Sequence, residues 1–140
     1  MNHSSLNSVL ISLIPGLFMV LVGVLVKYLS TKYPNMWCGY RTGTSTQNED
    51  TWKEGNAYSG MLFIRIGIIN IILFAVLGYL FQDTSYTFWD TKPKAMPNAI
   101  GLSFSVLGIC CILSIILTES HLKKIFDGDG KRKESVNNPF

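Results

Sequence analysis

Met61-Leu-Phe-Ile-Arg-Ile-Gly-Ile-Ile-Asn-Ile-Ile-Leu-Phe-Ala-Val-Leu-Gly-Tyr-Leu-Phe81 decides the fold. Apart from Arg65 and Asn70 the stretch is apolar or small, holds no proline and shows no alternation of polar with apolar residues. A membrane helix needs roughly 17–25 mostly apolar residues, because ~1.5 Å per residue has to cover ~30 Å of hydrocarbon. This stretch meets that length. Lipid offers no partners for backbone N–H and C=O groups, so a helix, which satisfies them internally, is the expected form. A closed barrel would need many alternating strands.

Two more apolar blocks flank it, residues 9–26 ending at Lys27 and residues 99–117 ending at Thr118-Glu119. Hydrophobic residues make up 48% of the chain, an ordinary share for a soluble domain. Here they are gathered into blocks, with the charges between and after them, a segregation that a bilayer demands and a soluble core does not. The expected fold is therefore all-α: an integral membrane protein with three transmembrane helices at about 6–30, 47–81 and 98–122. These form a membrane domain of residues 1–122, and 123–140 trails as a flexible basic tail. A cleavable signal peptide is the rival reading of the first block. Residues 1–8 hold no Lys or Arg, and Lys27-Tyr28-Leu29 is no small-residue cleavage pattern, so the block is expected to stay as a helix.

Short loops rich in Lys and Arg stay in the cytoplasm. The first loop holds Lys27, Lys32, Arg41 and Lys53, and the tail holds Lys123, Lys124, Lys131, Arg132 and Lys133. The N-terminal segment has no Lys or Arg and the second loop only Lys92 and Lys94. This predicts an N-terminus outside and a C-terminus in the cytoplasm. Aromatic residues cluster at both predicted interfaces, with Tyr28, Tyr33, Trp37 and Tyr40 inside and Tyr86, Phe88 and Trp89 outside.

Each block carries two glycines two helical turns apart: Gly16 and Gly23, Gly60 and Gly67, Gly101 and Gly108. Small residues let helix backbones approach closely in lipid, so these pairs are candidate packing stripes, within the chain or in an oligomer. Ser105 extends the third. Asn70 is expected to face inward, since an unpaired amide in lipid is costly. Arg65 lies about one turn inside its block and is expected to snorkel to the headgroups, with a pairing inside the bundle as the alternative.

The loop before the second helix holds the densest set of chemically distinctive residues, Met36-Trp-Cys-Gly-Tyr-Arg-Thr-Gly-Thr-Ser-Thr-Gln-Asn-Glu-Asp-Thr-Trp52. Gly39 and Gly43 read as turns. Thr46 and Glu49 have capping-box spacing, which predicts a helix start near Gln47. With no proline before Pro93, that helix would be roughly 50 Å long and extend into the cytoplasm. Its helical phase puts Glu49, Trp52, Asn56, Phe63 and Asn70 near one stripe, and Glu54, Tyr58 and Arg65 on the other side. Glu49 and Lys53 are spaced for a surface pair. The Arg41 guanidinium stands near Glu49, Asp50 and Glu54, where it would bind a carboxylate and pin the loop.

Gly39-Tyr40-Arg41-Thr42, then Asn48-Glu49, Trp52 and Asn56, resembles the signature of the SdpI family of small bacterial membrane proteins. That signature runs glycine, hydrophobic residue, Arg-Thr-Pro, a polar spacer, an acidic residue, tryptophan, and Asn or His four residues on. Gly43 stands here in place of the proline. The family is named for an immunity protein that protects a bacterium from its own secreted toxic peptide and holds a transcriptional repressor at the membrane. That protein has more spans than this chain. The resemblance implies a non-enzymatic protein of the bacterial inner membrane, with Gly39, Arg41, Thr42, Asn48, Glu49, Trp52 and Asn56 as motif positions. Its expected partners are the lipid bilayer and a toxic peptide or cytoplasmic regulator.

Other classes find little support. A net charge of +3 spread over loops and tail does not suggest nucleic-acid binding. Cys38, Cys110 and Cys111 form neither a disulfide framework nor a metal spacing, and His3 and His121 are far apart in sequence. No nucleophile–base constellation and no phosphate-binding glycine loop appears, so no catalytic residue, metal or cofactor is expected. The alternative to immunity or signalling is a structural or accessory subunit of a larger membrane complex.

Overall fold

The computed structural model describes residues 10–30, 34, 39–80 and 99–133. The aromatic residues Tyr33, Trp37, Tyr86, Phe88 and Trp89, Lys32 and the second-loop lysines Lys92 and Lys94 lie outside the described residues, as do 6–9, 81, 98 and 134–140 of the expected helices and tail.

The described residues are helical, with no strand among them. Helix α1 spans Ile14–Val24 and continues as a π-helical turn, Leu25–Leu29. Ser30 then turns the backbone extended and ends it. Pro15 stands in the first turn of α1, where its missing N–H has no helical partner to lose. A separate turn precedes it, closed by Leu13 N–H on the Leu10 carbonyl at 3.3 Å. Helix α2 spans Glu49–Leu80, and α3 spans Ala99–Ile125. The 32 residues of α2 make it roughly 48 Å long. Three apolar spans are long enough to cross a membrane, Leu10–Leu29, Glu49–Leu77 and Gly101–Ile125. Their surfaces expose Leu17, Phe18, Ile69, Ile72, Ile112 and Ile116, side chains whose natural solvent is hydrocarbon. The chain is a multi-pass membrane protein.

Helix α2 is the central element, packed on both α1 and α3. Against α1 the contact is backbone on backbone. A Cβ added at Gly16 would stand 2.9 Å from the Gly67 carbonyl oxygen, and one at Gly67 2.7 Å from that of Gly16. The second pair is equally reciprocal, with Gly23 2.7 Å from the Gly60 oxygen and Gly60 2.8 Å from the Gly23 oxygen. Two turns apart on antiparallel helices, the pairs meet in register.

Helix α3 departs from the expectation. Gly101 and Gly108 are exposed, and a Cβ at either meets nothing within 4 Å among the described residues. Ser105, between them, is exposed as well and bonds the Gly101 carbonyl. The buried stripe of α3 is instead Ser103, Ser114, Thr118 and Leu122. Its hydroxyls can be buried because each finds an oxygen: Ser114 donates to the Cys111 carbonyl at 2.8 Å and Thr118 to the Ser114 carbonyl at 2.7 Å. Asn70 is buried, facing the polar Ser12 and Ser103 of the two neighbouring spans.

The segment expected to trail as a tail is folded as far as Lys133. α3 continues to Ile125, and Phe126 bridges back to Arg132. Asp127 N–H donates to the Lys131 carbonyl at 2.9 Å, and the Asp127 carboxylate accepts from Asp129 and Lys131 N–H. Lys133 closes the end of α3, its N–H on the Ile125 carbonyl and its ammonium on the Lys123 carbonyl. Phe126 and Leu122 are buried with Tyr40 in a small apolar core, which a free tail could not supply.

Candidate functional site

The loop before α2 and the start of α2 close on each other. Asn48 is the cap: its side-chain oxygen accepts Thr51 N–H at 2.9 Å, while the Thr51 hydroxyl accepts Asn48 N–H at 3.1 Å. This is a reciprocal capping box built two residues later than the one expected from Thr46 and Glu49. Thr46 turns back instead, its N–H and hydroxyl both on the Thr42 carbonyl at 3.1 and 2.8 Å. The competing turn wins because Thr42 and Ser45 also bond reciprocally, each side-chain oxygen accepting the other's N–H at 3.2 and 2.9 Å. The Ser45 hydroxyl donates to the Tyr40 carbonyl at 2.9 Å.

Upstream, the chain passes directly over the first turns of α2. Gly39 has φ +129°, and a Cβ there would stand 2.6 Å from both the Asn56 side-chain oxygen and the Trp52 ring. Only glycine combines that backbone with that approach. Asn56 then joins loop to helix. Its side-chain oxygen accepts Tyr40 N–H at 2.7 Å, and its amide donates to the Trp52 carbonyl at 2.7 Å. Trp52 and Asn56 are 0% and 1% exposed.

Tyr40 carries the clasp to α3. Its hydroxyl lies 3.1 Å from the Ile115 carbonyl and 3.2 Å from a Glu119 oxygen. Thr44 donates to the other Glu119 oxygen at 2.8 Å. Burial, then the Glu119 carboxylate beside it, pushes the Tyr40 phenol up to about 12. The turn after α3 completes the assembly: Asn48 and Gln47 side-chain amides donate to the Gly130 and Gly128 carbonyls at 2.7 and 3.2 Å. Glu54 meets His121 at 2.8 Å and Arg132 at 3.4 Å, and the His121 ring stacks on Tyr58 with centroids 3.8 Å apart.

Of the motif positions, Gly39, Trp52 and Asn56 are brought together, Trp52 and Asn56 fully buried and Gly39 partly, and Thr42 and Asn48 brace the loop around them. Glu49 pairs with Lys53 at 2.6 Å on the surface. Arg41 is exposed, and of its three expected carboxylates Glu54 is engaged by α3 and the turn behind it. Glu54 and Tyr58, expected away from the bundle, thus face α3, while Arg65 is exposed. The helix glycines Gly16, Gly23, Gly60 and Gly67 lie in the spans and not at this site. Sequence reasoning missed Tyr40, Ser45 and Glu119 as joints. Glu119 had a signal, being the first acid after the third apolar block. Tyr40 and Ser45 had none beyond their place in the motif loop.

Chemically the arrangement is a clasp. Its carboxylates and hydroxyls bond one another and the backbone. No group of three His, Cys, Asp or Glu among the described residues is placed to hold a metal. No curated protein and no solved structure matches the chain. A sequence profile of the SdpI/YfhL protein family matches residues 31–118, the loop, α2 and most of α3. The match covers more than half of the sequence, and the chain belongs to the SdpI/YfhL family.

Proposed function

We propose that this chain is a non-enzymatic SdpI-type protein of the bacterial inner membrane, N-terminus outside and C-terminus cytoplasmic, that gives immunity to a membrane-active toxic peptide, signals by binding a cytoplasmic partner, or does both. The family match over residues 31–118 carries the reading. The geometry supports a recognition role for the loop rather than a chemical one. Trp52 and Asn56 are enclosed and Gly39 lies against them, holding the loop to the start of α2, while Arg41, Gly43 and Asp50 are exposed on its surface. In the proposed orientation that surface, at the end of α2 beyond the hydrocarbon, meets the cytoplasm. The lipid-facing sides of the helices meet a peptide that works in the bilayer.

Deleting the gene and challenging cells with membrane-active peptides tests the immunity arm. Sensitivity rises if the reading holds; unchanged sensitivity to every peptide tried counts against it. Complementation with Arg41→Ala tests the loop surface, and unfolding of the same variant in detergent, beside Arg41→Lys, separates a lost contact of the guanidinium within the loop from lost recognition. A C-terminal tag reachable only after permeabilisation supports the orientation, and one reachable in intact cells overturns it.

The exposed Gly101, Ser105 and Gly108 on α3 favour a second reading, an accessory subunit packed against another chain. Purification in mild detergent decides between them: a monomer with no co-purifying protein argues against the subunit.

A further inference from the structure

Inside the bundle, where the surrounding medium is lipid, Ser12, Asn70 and Ser103 meet as one polar layer contributed by the three spans. Their exposures are 1%, 3% and 0%. The Ser103 hydroxyl donates to the Ser12 carbonyl at 3.0 Å and lies 3.3 Å from the Asn70 side-chain oxygen. A hydroxyl has one proton, and the shorter contact takes it. The Asn70 nitrogen Nδ2 is fully enclosed and has no hydrogen-bond partner among the described residues. Turning the amide over would let it donate to the Ser103 oxygen, giving a chain from Asn70 through Ser103 to Ser12. The carbonyl end would then be bare. Either orientation leaves one end of a buried amide unsatisfied.

We propose that this layer binds a single water molecule, held by the Asn70 amide between the three spans. An enclosed atom is beyond the reach of a lipid carbonyl, so the missing partner has to be small. A buried water both donates and accepts, and it sits where polar groups of the protein lack partners. One water supplies the acceptor that Nδ2 lacks and two donors for the oxygens around it.

The test uses the full chain in deuterated lipid nanodiscs, labelled with 15N-asparagine. The Asn70 side-chain signals are assigned by their loss in Asn70→Gln, and magnetisation transfer from water to them is measured. Transfer to the Asn70 amide is expected, and it persists in Ser12→Ala/Ser103→Ala, which removes both hydroxyls able to relay it. The single variant Ser103→Ala serves if the double one does not fold. No transfer in the wild type, or transfer that vanishes with the hydroxyls, overturns the proposal.

Discussion

Asn56 satisfies two backbone groups that no solvent reaches, Tyr40 N–H and the Trp52 carbonyl. Asn56→Leu keeps the volume and strands the Tyr40 N–H, a loss of about 1–3 kcal/mol. Thermal unfolding in detergent should show it, with Asp50→Ala on the exposed rim nearly silent as a control. Gly39→Ala should be at least as damaging, since its Cβ strikes both Trp52 and Asn56. Tyr40 gives a pH signature. Its phenol is raised from 10.0 to about 12 in the folded protein, so the unfolded chain releases the proton first. The stability gained by keeping it protonated is complete below pH 10 and is lost as pH rises toward 12. Ultraviolet titration of wild type against Tyr40→Phe should place the missing phenolate in the last part of the tyrosine transition. A missing transition centred near 10 would contradict the burial. At this scale the sequence was half legible. Trp52 and Asn56 share a stripe by helical phase alone. That the backbone at Gly39 and Tyr40 returns onto that stripe depends on a turn chosen among Thr42, Ser45 and Thr46, and several hydroxyls in a row offer more than one bonding register.

Two glycine pairs fix how α1 lies on α2. Gly23→Val or Gly67→Val would drive a branched side chain into the facing carbonyl, an overpacking cost of about 1–3 kcal/mol that neither backbone can relax. Gly108→Ala, with nothing within 4 Å among the described residues, should stay within about 0.5 kcal/mol. Detergent unfolding of the variants side by side checks both; equal effects would mean that the α1–α2 crossing is not backbone on backbone. The glycine spacing was readable in all three apolar blocks, yet among the described residues only two use it for close packing. Spacing shows that a close approach is possible on a stripe and says nothing of which helix arrives there. On α3 the choice went to Ser103, Ser114 and Thr118, whose hydroxyls are satisfied by their own helix or, for Ser103, by Ser12. A hydropathy reading ranks such residues below glycine as packing surface because it does not see those bonds.

For the whole molecule the solvent decides most. Three apolar blocks separated by charge dictate three spans whatever the loops do, which is why the architecture was the most legible feature. The fate of the C-terminal segment was not. Its lysines, glycines and acids read as a solvated tail, but Phe126 is buried beside Tyr40 and Leu122, and two side-chain amides at the start of α2 hold the carbonyls of Gly128 and Gly130. Composition describes what a segment resembles when nothing binds it, and here the partner is another part of the same chain. The turn therefore belongs to the clasp, linking the end of α3 to the cap of α2. Asn48→Ala removes a helix cap and the Gly130 bond together, about 0.5–2 kcal/mol for the cap alone. Stopping the chain after Ile125 removes the turn and leaves the cap. In hydrogen exchange both changes should deprotect the first turns of α2 and the Tyr40 loop, while residues 60–77, sealed by α1 and lipid, keep their protection. If the truncated chain protects the α2 start as well as the full chain does, the turn rests on the clasp without stabilising it.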